Sequence, residues 1–159
     1  MNKSVKSIVT GGCIAAIYVV LSMLCATFGL ASGVIQVRIS EALCILPIMT
    51  GAAVPGLFVG CLVANALSGC ALWDIVFGSL ATLVGAVGTR LIGSKHPVIS
   101  LIPPILANVI VVPLILTKVY AVPDAYWVIV LTVGLGEVLS CGVCGFVLYK
   151  MLHKRKIHI

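Results

Sequence analysis

The sequence predicts an all-α integral membrane protein, a single domain over residues 1–159 built as a bundle of six transmembrane helices. Three observations carry that expectation. Hydrophobic residues make up 62% of the chain and charged residues 9%, with a mean hydropathy of +1.29, too little polar surface to coat a water-soluble globule. The apolar residues fall into runs suited to a ~30 Å hydrocarbon layer, which an α-helix crosses in about 20 residues. The basic residues sit at the ends of those runs: Lys3 and Lys6 before the first, Arg90 and Lys95 closing the fourth, and Lys150, Lys154, Arg155 and Lys156 after the last. That is the charge asymmetry of the positive-inside rule. A net charge of +6 displayed in this way argues for a membrane and against nucleic acid, which needs basic residues along one folded face.

The first run is expected as a helix over about 7–31, closing in Ala31-Ser32-Gly33, with a loop through Gln36. It follows a basic start as a signal peptide does, but Ile8 to Ala31 exceeds the ~7–15 residues of a signal h-region, so it is read as a membrane span. The stretch from Arg38 to Leu67 is interrupted by Pro47, Gly51 and Pro55-Gly56, and fits either one long span or two short ones. Three further spans are expected at about 74–93, 98–118 and 126–150. Parity decides the middle: both basic ends belong in the cytoplasm, which requires an even number of crossings. Splitting at Pro55-Gly56 into short helices at about 39–52 and 56–68 gives six, with Arg38 and Lys118 the two basic residues left outside. Helices so short imply tilt, local thinning or burial against neighbours.

Several residues need a reason to lie in apolar runs. Glu137 falls mid-span in the last helix, where a carboxylate costs about 2.5–3.5 kcal/mol on insertion scales and must face the bundle interior or a wet cavity. It is a binding candidate or a structural partner for Asn108. Asn108, mid-span after Pro103-Pro104, and Asn65, near the outer end of the third helix, reach similar depth and offer donors and acceptors. Trp73 and Asp74 open the fourth helix on the outer side, as an interfacial indole and an N-cap or as a lid that stacks on a planar ligand and accepts its protons. Arg38 and Glu41, three residues apart, are placed to pair on a helix surface, and Glu41 alternatively lines a site. Tyr126 and Trp127 suit an interfacial anchor. In the first helix Gly12 and Ala16 present small residues four apart, a spacing that permits close helix approach, within the bundle or against another subunit.

Some chemistries lack their parts. His96, His153 and His158 lie at the cytoplasmic edge, leaving neither a histidine base nor a metal cluster inside the bundle. Gly88 and Gly93 have P-loop spacing, but Ser94 stands where lysine is required, so the chain is not expected to hydrolyse ATP. The seven cysteines fall largely in apolar runs as small hydrophobes. Cys141-x-x-Cys144 is read as packing on one helix face, without a second ligand pair. No catalytic constellation emerges, and the expectation is a carrier or binding subunit rather than an enzyme.

The run Arg38-Ile39-Ser40-Glu41-Ala42-Leu43, the Pro55-Gly56-Leu57-Phe58 turn leading to Ala64-Asn65, and the run Trp73-Asp74-Ile75-Val76-Phe77-Gly78-Ser79-Leu80-Ala81-Thr82 together resemble the QueT family, over nearly the whole chain. That family is regarded as substrate-binding S components of energy-coupling factor (ECF) transporters for queuosine precursors. The resemblance implies a six-helix S component of the bacterial cytoplasmic membrane with both termini cytoplasmic. It also implies as partners a transmembrane coupling protein and two ATPase subunits that hydrolyse ATP, the chain itself binding no cofactor and toppling in the bilayer to release cargo. The Ala-x-x-x-Ala docking pattern of S components corresponds here to Gly12 and Ala16, with glycine a departure that keeps the steric closeness. The implied cargo is queuine or a related 7-deazaguanine. On this reading Glu137 takes the guanine-like edge, Asn108 and Asn65 the remaining ring atoms, and Trp73 stacks, while Asp74 or Glu41 meets an amine or diol on the side arm. An S component for a flavin, pterin or other vitamin shares the architecture, and a stand-alone small carrier or channel is a reading from another class.

Overall fold

The computed structural model describes residues 2–30, 37–93 and 95–155. Ala31, Ser32, Gly33, Gln36, Ser94, Lys156 and His158 lie outside the described residues. Among those described, the chain is helical with no strand: α1 (Lys3–Thr27), a 3-10 segment (Ile39–Ile48), α2 (Ala53–Leu67), α3 (Leu72–Gly93), a 3-10 turn (Ile99–Leu101) leading into α4 (Ile102–Lys118), then α5 (Tyr126–Glu137), a π-helical segment (Val138–Cys144) and α6 (Gly145–Lys154). The last three join end to end. Four helices are long and apolar enough to cross a membrane: Lys3–Thr27, Leu72–Gly93, Ile99–Lys118 and Tyr126–Lys154.

The order of contacts gives the helix directions. Gly56 lies against Gly11 and Gly60 against Ala15, so α1 and α2 run parallel, and the chain must return across the bundle between them. The 3-10 segment makes that return. At one end the Ile39 N–H donates to Cys25 Sγ at 3.3 Å; at the other Arg90 donates to the carbonyls of Pro47 (2.9 Å) and Ile48 (3.3 Å). Along α1 the descent runs from Cys25 to Gly11, which lies against the Ala52 carbonyl, about 21 Å at ~1.5 Å per residue. A 3-10 helix rises ~2.0 Å per residue, so ten residues cover about 20 Å where an α-helix would need about fourteen. The segment is also encased, with Ser40 through Pro47 all buried. This is how a short helix serves here: an extended helical pitch shielded by its neighbours.

Three boundaries differ from expectation. Helix α1 ends at Thr27 rather than near 31, because Gly29, at φ +69°, turns the chain. The Leu30 N–H donates to the Cys25 carbonyl and the Gly29 N–H to that of Ala26, a Schellman closure that requires a left-handed residue. The break before α2 falls at 49–52 rather than at Pro55-Gly56. Pro55 sits in the first turn of α2, where its missing N–H would have had no helical partner. Helix α3 starts at Leu72, placing Asp74 in its first turn rather than at the cap.

The parallel crossing of α1 on α2 depends on small residues from both helices. A Cβ on Gly56 would lie 2.6 Å from the Gly11 carbonyl oxygen, and one on Gly60 would lie 2.9 Å from Tyr18 Cβ, so Gly11-x-x-x-Ala15 meets Gly56-x-x-x-Gly60 backbone to backbone. Helix α3 packs antiparallel on α2, α4 antiparallel on α3 (a Gly85 Cβ would lie 2.6 Å from Pro104 Cα), and α5 antiparallel on α4 (Gly134 faces Val109). Large apolar side chains such as Ile8, Val84, Leu91 and Leu131 face outward, as a lipid solvent favours. Cys141 is buried and Cys144 exposed, so the pair divides between core and surface instead of sharing a face. No group of three or more His, Cys, Asp and Glu is placed to hold a metal among the described residues.

Candidate binding site

The chain contains four Asp and Glu residues, and three of them, Glu41, Asp74 and Glu137, are buried. Glu41 and Glu137 line one cavity, and Asp74 stands beside it at Gly78. The cavity walls are Arg38 and Glu41 from the 3-10 segment, Cys61 from α2, Gly78 and Thr82 from α3, Asn108 and Val112 from α4, and Val133 and Glu137 from α5. The cavity has about 10 Å³ of internal space, room for about one water molecule.

Glu41 sits at the head of the buried 3-10 segment. Its Oε1 accepts the hydroxyl of Tyr18 from α1; its Oε2 accepts the thiol of Cys44 at 3.1 Å and the amide of Asn108 at 3.5 Å. The expected Arg38–Glu41 surface pair is therefore replaced. Glu41 points inward to three donors and forms no ion pair with Arg38, whose backbone N–H donates to Ser140 Oγ at 3.1 Å and whose side chain lines the cavity. A further link, Ser22 Oγ to Ser40 Oγ at 2.9 Å, fastens the same turn to α1.

Asn108 holds the opposite wall together. Its Nδ2 donates to Glu137 Oε1 at 3.1 Å as well as to Glu41, so one amide bridges two carboxyl groups from distant parts of the sequence. Glu137 is 7% exposed, and its Oε2 accepts no hydrogen bond. Burying a carboxyl oxygen without a donor is costly, and exceptions of this kind call for an explanation. A π-helical segment begins at the next residue, Val138. Such irregular turns occur frequently at functional sites.

The rim of the site at the Asp74 end is built from α2, α3 and the loop after α4. Asn65 Nδ2 donates to the Asp74 carbonyl at 3.4 Å and contacts Cys61 Sγ at 3.7 Å. A Cβ on Gly78 would stand 3.1 Å from Asp74 Oδ1 and 3.2 Å from Asn65 Nδ2, so the bare glycine in the cavity wall leaves both polar groups uncovered beside it. Tyr120 donates its hydroxyl to Asp74 Oδ2 at 3.1 Å and accepts the Ala71 N–H at 2.9 Å, tying the α4–α5 loop to the start of α3. Burial, together with the adjacent Asp74 carboxyl, pushes the Tyr120 phenol up to about 12, so it remains a donor throughout the physiological range.

The QueT transporter family matches residues 8–154. The chain belongs to that family. No curated protein and no solved structure matches it. Membership makes this QueT chain a component of membrane transport, in keeping with its four long apolar helices.

Of the residues singled out in the sequence, the fold of this QueT protein brings Arg38, Glu41, Asn108 and Glu137 to one cavity and sets Asn65 and Asp74 beside it at Gly78. Trp73 is not among them. Its indole is 60% exposed, stacks on Phe77 with ring centroids 5.7 Å apart, and lines a separate groove with Leu114 and Lys118. Neighbouring residues point about 100° apart around a helix, and it is Asp74 that turns inward. Gly12 and Ala16 are exposed, with no atom within 4 Å of a Cβ built on Gly12; the packing inside the bundle is made by their neighbours Gly11 and Ala15. Sequence reasoning missed Tyr18, Gly78 and Tyr120. For Tyr18 the signal was present, since a hydroxyl in mid-membrane needs a partner.

Proposed function

We propose that this chain is the substrate-binding S component of an ECF-type importer that captures a queuosine precursor, queuine or a related 7-deazaguanine, on the outer face of the bacterial cytoplasmic membrane. One observation carries the reading: Glu137 Oε2 is buried and unpaired in a cavity that Arg38 also lines. A guanine-like edge carries adjacent N–H donors and a carbonyl oxygen. The carboxyl of Glu137 matches the donors through paired hydrogen bonds, the guanidinium matches the carbonyl, and Asn108 and Asn65 remain for the other ring atoms. The cavity takes about one water as it stands, so admitting a bicyclic base requires the wall of α4 and α5 to part from that of α2 and α3.

The crossings then number six: α1, the 3-10 segment Ile39–Ile48, α2, α3, α4 with its leading turn, and the continuous helix Tyr126–Lys154. Lys3, Lys6, Arg90, Lys95, Lys150, Lys154 and Arg155 mark the cytoplasmic side, and both termini lie there. Gly12 and Ala16 form the face that meets a transmembrane coupling protein, and two ATPase subunits supply the energy that this chain has no motif to harvest. Titration of queuine into the purified chain and its Glu137→Gln variant tests the reading. Loss of a buried hydrogen bond to a charged group, about 1.5–3 kcal/mol, predicts affinity lower by about 10- to 150-fold. Undiminished affinity removes Glu137 from the site.

A further inference from the structure

Beyond the cargo site, and independent of what it binds, we infer that the chain holds an anionic phospholipid in a groove between α1 and α6, its acyl chain along the groove and its headgroup on Lys3, Lys6, Lys154 and Arg155 at the groove's end. One wall runs along α1 from Val9 to Leu21 and the other along the π-helical segment and α6 from Val143 to Leu152, with Ile39, Ala42, Leu43 and Leu46 of the 3-10 segment as the floor. The volume, about 780 Å³, falls in the range of sites that take a whole small molecule. Thr10 apart, every lining side chain is a hydrocarbon, a thioether or a thiol. The floor is the back of the segment whose other side presents Glu41 to the cavity, so whatever fills the groove packs against the scaffold of the cargo site.

The groove has the length of one leaflet. Val9 to Leu21 is about 18 Å at ~1.5 Å per residue, against ~30 Å for the whole hydrocarbon layer. Its far end is shut where the 3-10 segment is pinned to both walls, the Ile39 N–H donating to Cys25 Sγ and the Arg38 N–H to Ser140 Oγ. A partner's membrane-spanning helix needs the full thickness, whereas an acyl chain entering from the open end needs only half. The open end carries the charge. Lys3 and Lys6 continue the groove stripe of α1 through Thr10, Cys13 and Ile17, and Lys154 and Arg155 continue that of α6 beyond Met151 and Leu152, at the three- and four-residue spacings that keep side chains on one helix face. All four cations are exposed. The positive-inside rule accounts for cations at this end but not for their place around the helices: Lys150, on the neighbouring face of α6, lies over the Phe146 ring at 4.8 Å, and Lys95 is on the turn between α3 and α4. No acidic side chain is at hand to pair with the four, since Glu41, Asp74 and Glu137 belong to the cargo site and Asp124 to the α4–α5 loop at the opposite end. An anionic headgroup supplies the missing charge.

The test is native mass spectrometry of the detergent-purified full chain with dioleoyl phosphatidylglycerol or dioleoyl phosphatidylcholine, lipids of the same chains and different headgroup charge. Retained phosphatidylglycerol is expected to exceed phosphatidylcholine at least about fivefold at equal concentration, the scale of one cation beside an anionic lipid surface. Lys6→Gln combined with Arg155→Gln should bring that ratio to within about twofold, while Lys95→Gln combined with Lys150→Gln, which removes the same charge from the same end, should leave it unchanged. Cys13→Trp combined with Val147→Trp fills the groove from positions exposed in the chain alone and should reduce the retention of phosphatidylglycerol itself. Equal retention of the two lipids by the wild-type chain overturns the inference whether or not any variant folds. An equal loss of preference in both lysine and arginine pairs overturns it by assigning the effect to diffuse charge, and full retention in the folded tryptophan variant removes the acyl chain from the groove. Lipid-free dimers of the chain overturn it by giving the groove to a second copy.

Discussion

Replacing Tyr18 with phenylalanine removes one oxygen atom and leaves the ring in place. Tyr18 is 1% exposed and Glu41 2% exposed, and the phenol donates to Glu41 Oε1, so the lost bond is not replaced by water. The other Glu41 oxygen keeps Cys44 and Asn108, which limits the damage to a single missing donor, about 1–3 kcal/mol. In a chain of this size each kcal/mol corresponds to about 2–4 °C in Tm, giving an expected loss of about 2–12 °C in thermal unfolding of the detergent-purified protein. Tyr149→Phe, on the half-buried face of α6 where the ring stacks on His153, serves as the control and should shift little. The double variant Tyr18→Phe with Glu41→Gln should lose less than the sum of the two single variants, because the groups interact. A Tm unchanged within 1 °C in Tyr18→Phe, or full additivity in the double variant, refutes the claim that α1 holds the 3-10 segment through this bond.

Other consequences follow from the same packing. Gly56→Val forces a side chain into a space where even a Cβ lies 2.6 Å from the Gly11 carbonyl; it should separate α1 from α2 and lower the yield of folded protein, with Gly12→Val, which meets nothing within 4 Å, tolerated. Gly12→Leu combined with Ala16→Leu should leave Tm within about 1–2 °C of the parent yet abolish copurification with a coupling protein; retained copurification counts against that face. Gly78→Ala sets a methyl about 3.1 Å from Asp74 Oδ1 and 3.2 Å from Asn65 Nδ2, and should weaken ligand binding about tenfold or more while lowering Tm by less than about 2–4 °C, the equivalent of 1 kcal/mol.

Helix existence was legible in the sequence because hydropathy reports burial in lipid directly, and positions such as Glu137 and Asn108 could be matched by depth alone. Less was legible where geometry replaces composition. Nothing in Ile39–Ile48 distinguishes a 3-10 from an α-helix: its apolar content fits both, and the choice follows from the distance it must span between Cys25 and Arg90. Pro55 read as a break because proline interrupts a helix interior, but in the first turn it costs little. Gly29 was the better terminator for α1, its positive φ invisible without the Schellman bonds around it. Trp73 and Asp74 could not both face inward, and only the rotation of α3 against α2 selects the aspartate. Glu41 had a plausible partner one turn away in Arg38, whereas its main donor, Tyr18, lies 23 residues earlier and meets it only through the antiparallel descent of the 3-10 segment along α1.

The most direct test is chemical. Small molecules released on denaturing the detergent-purified chain, identified by mass spectrometry, should include a 7-deazaguanine in the wild-type preparation and lose it in Glu137→Gln protein of equal Tm. A flavin, a pterin or another vitamin recovered in its place contradicts the account, as does a deazaguanine retained undiminished by the variant.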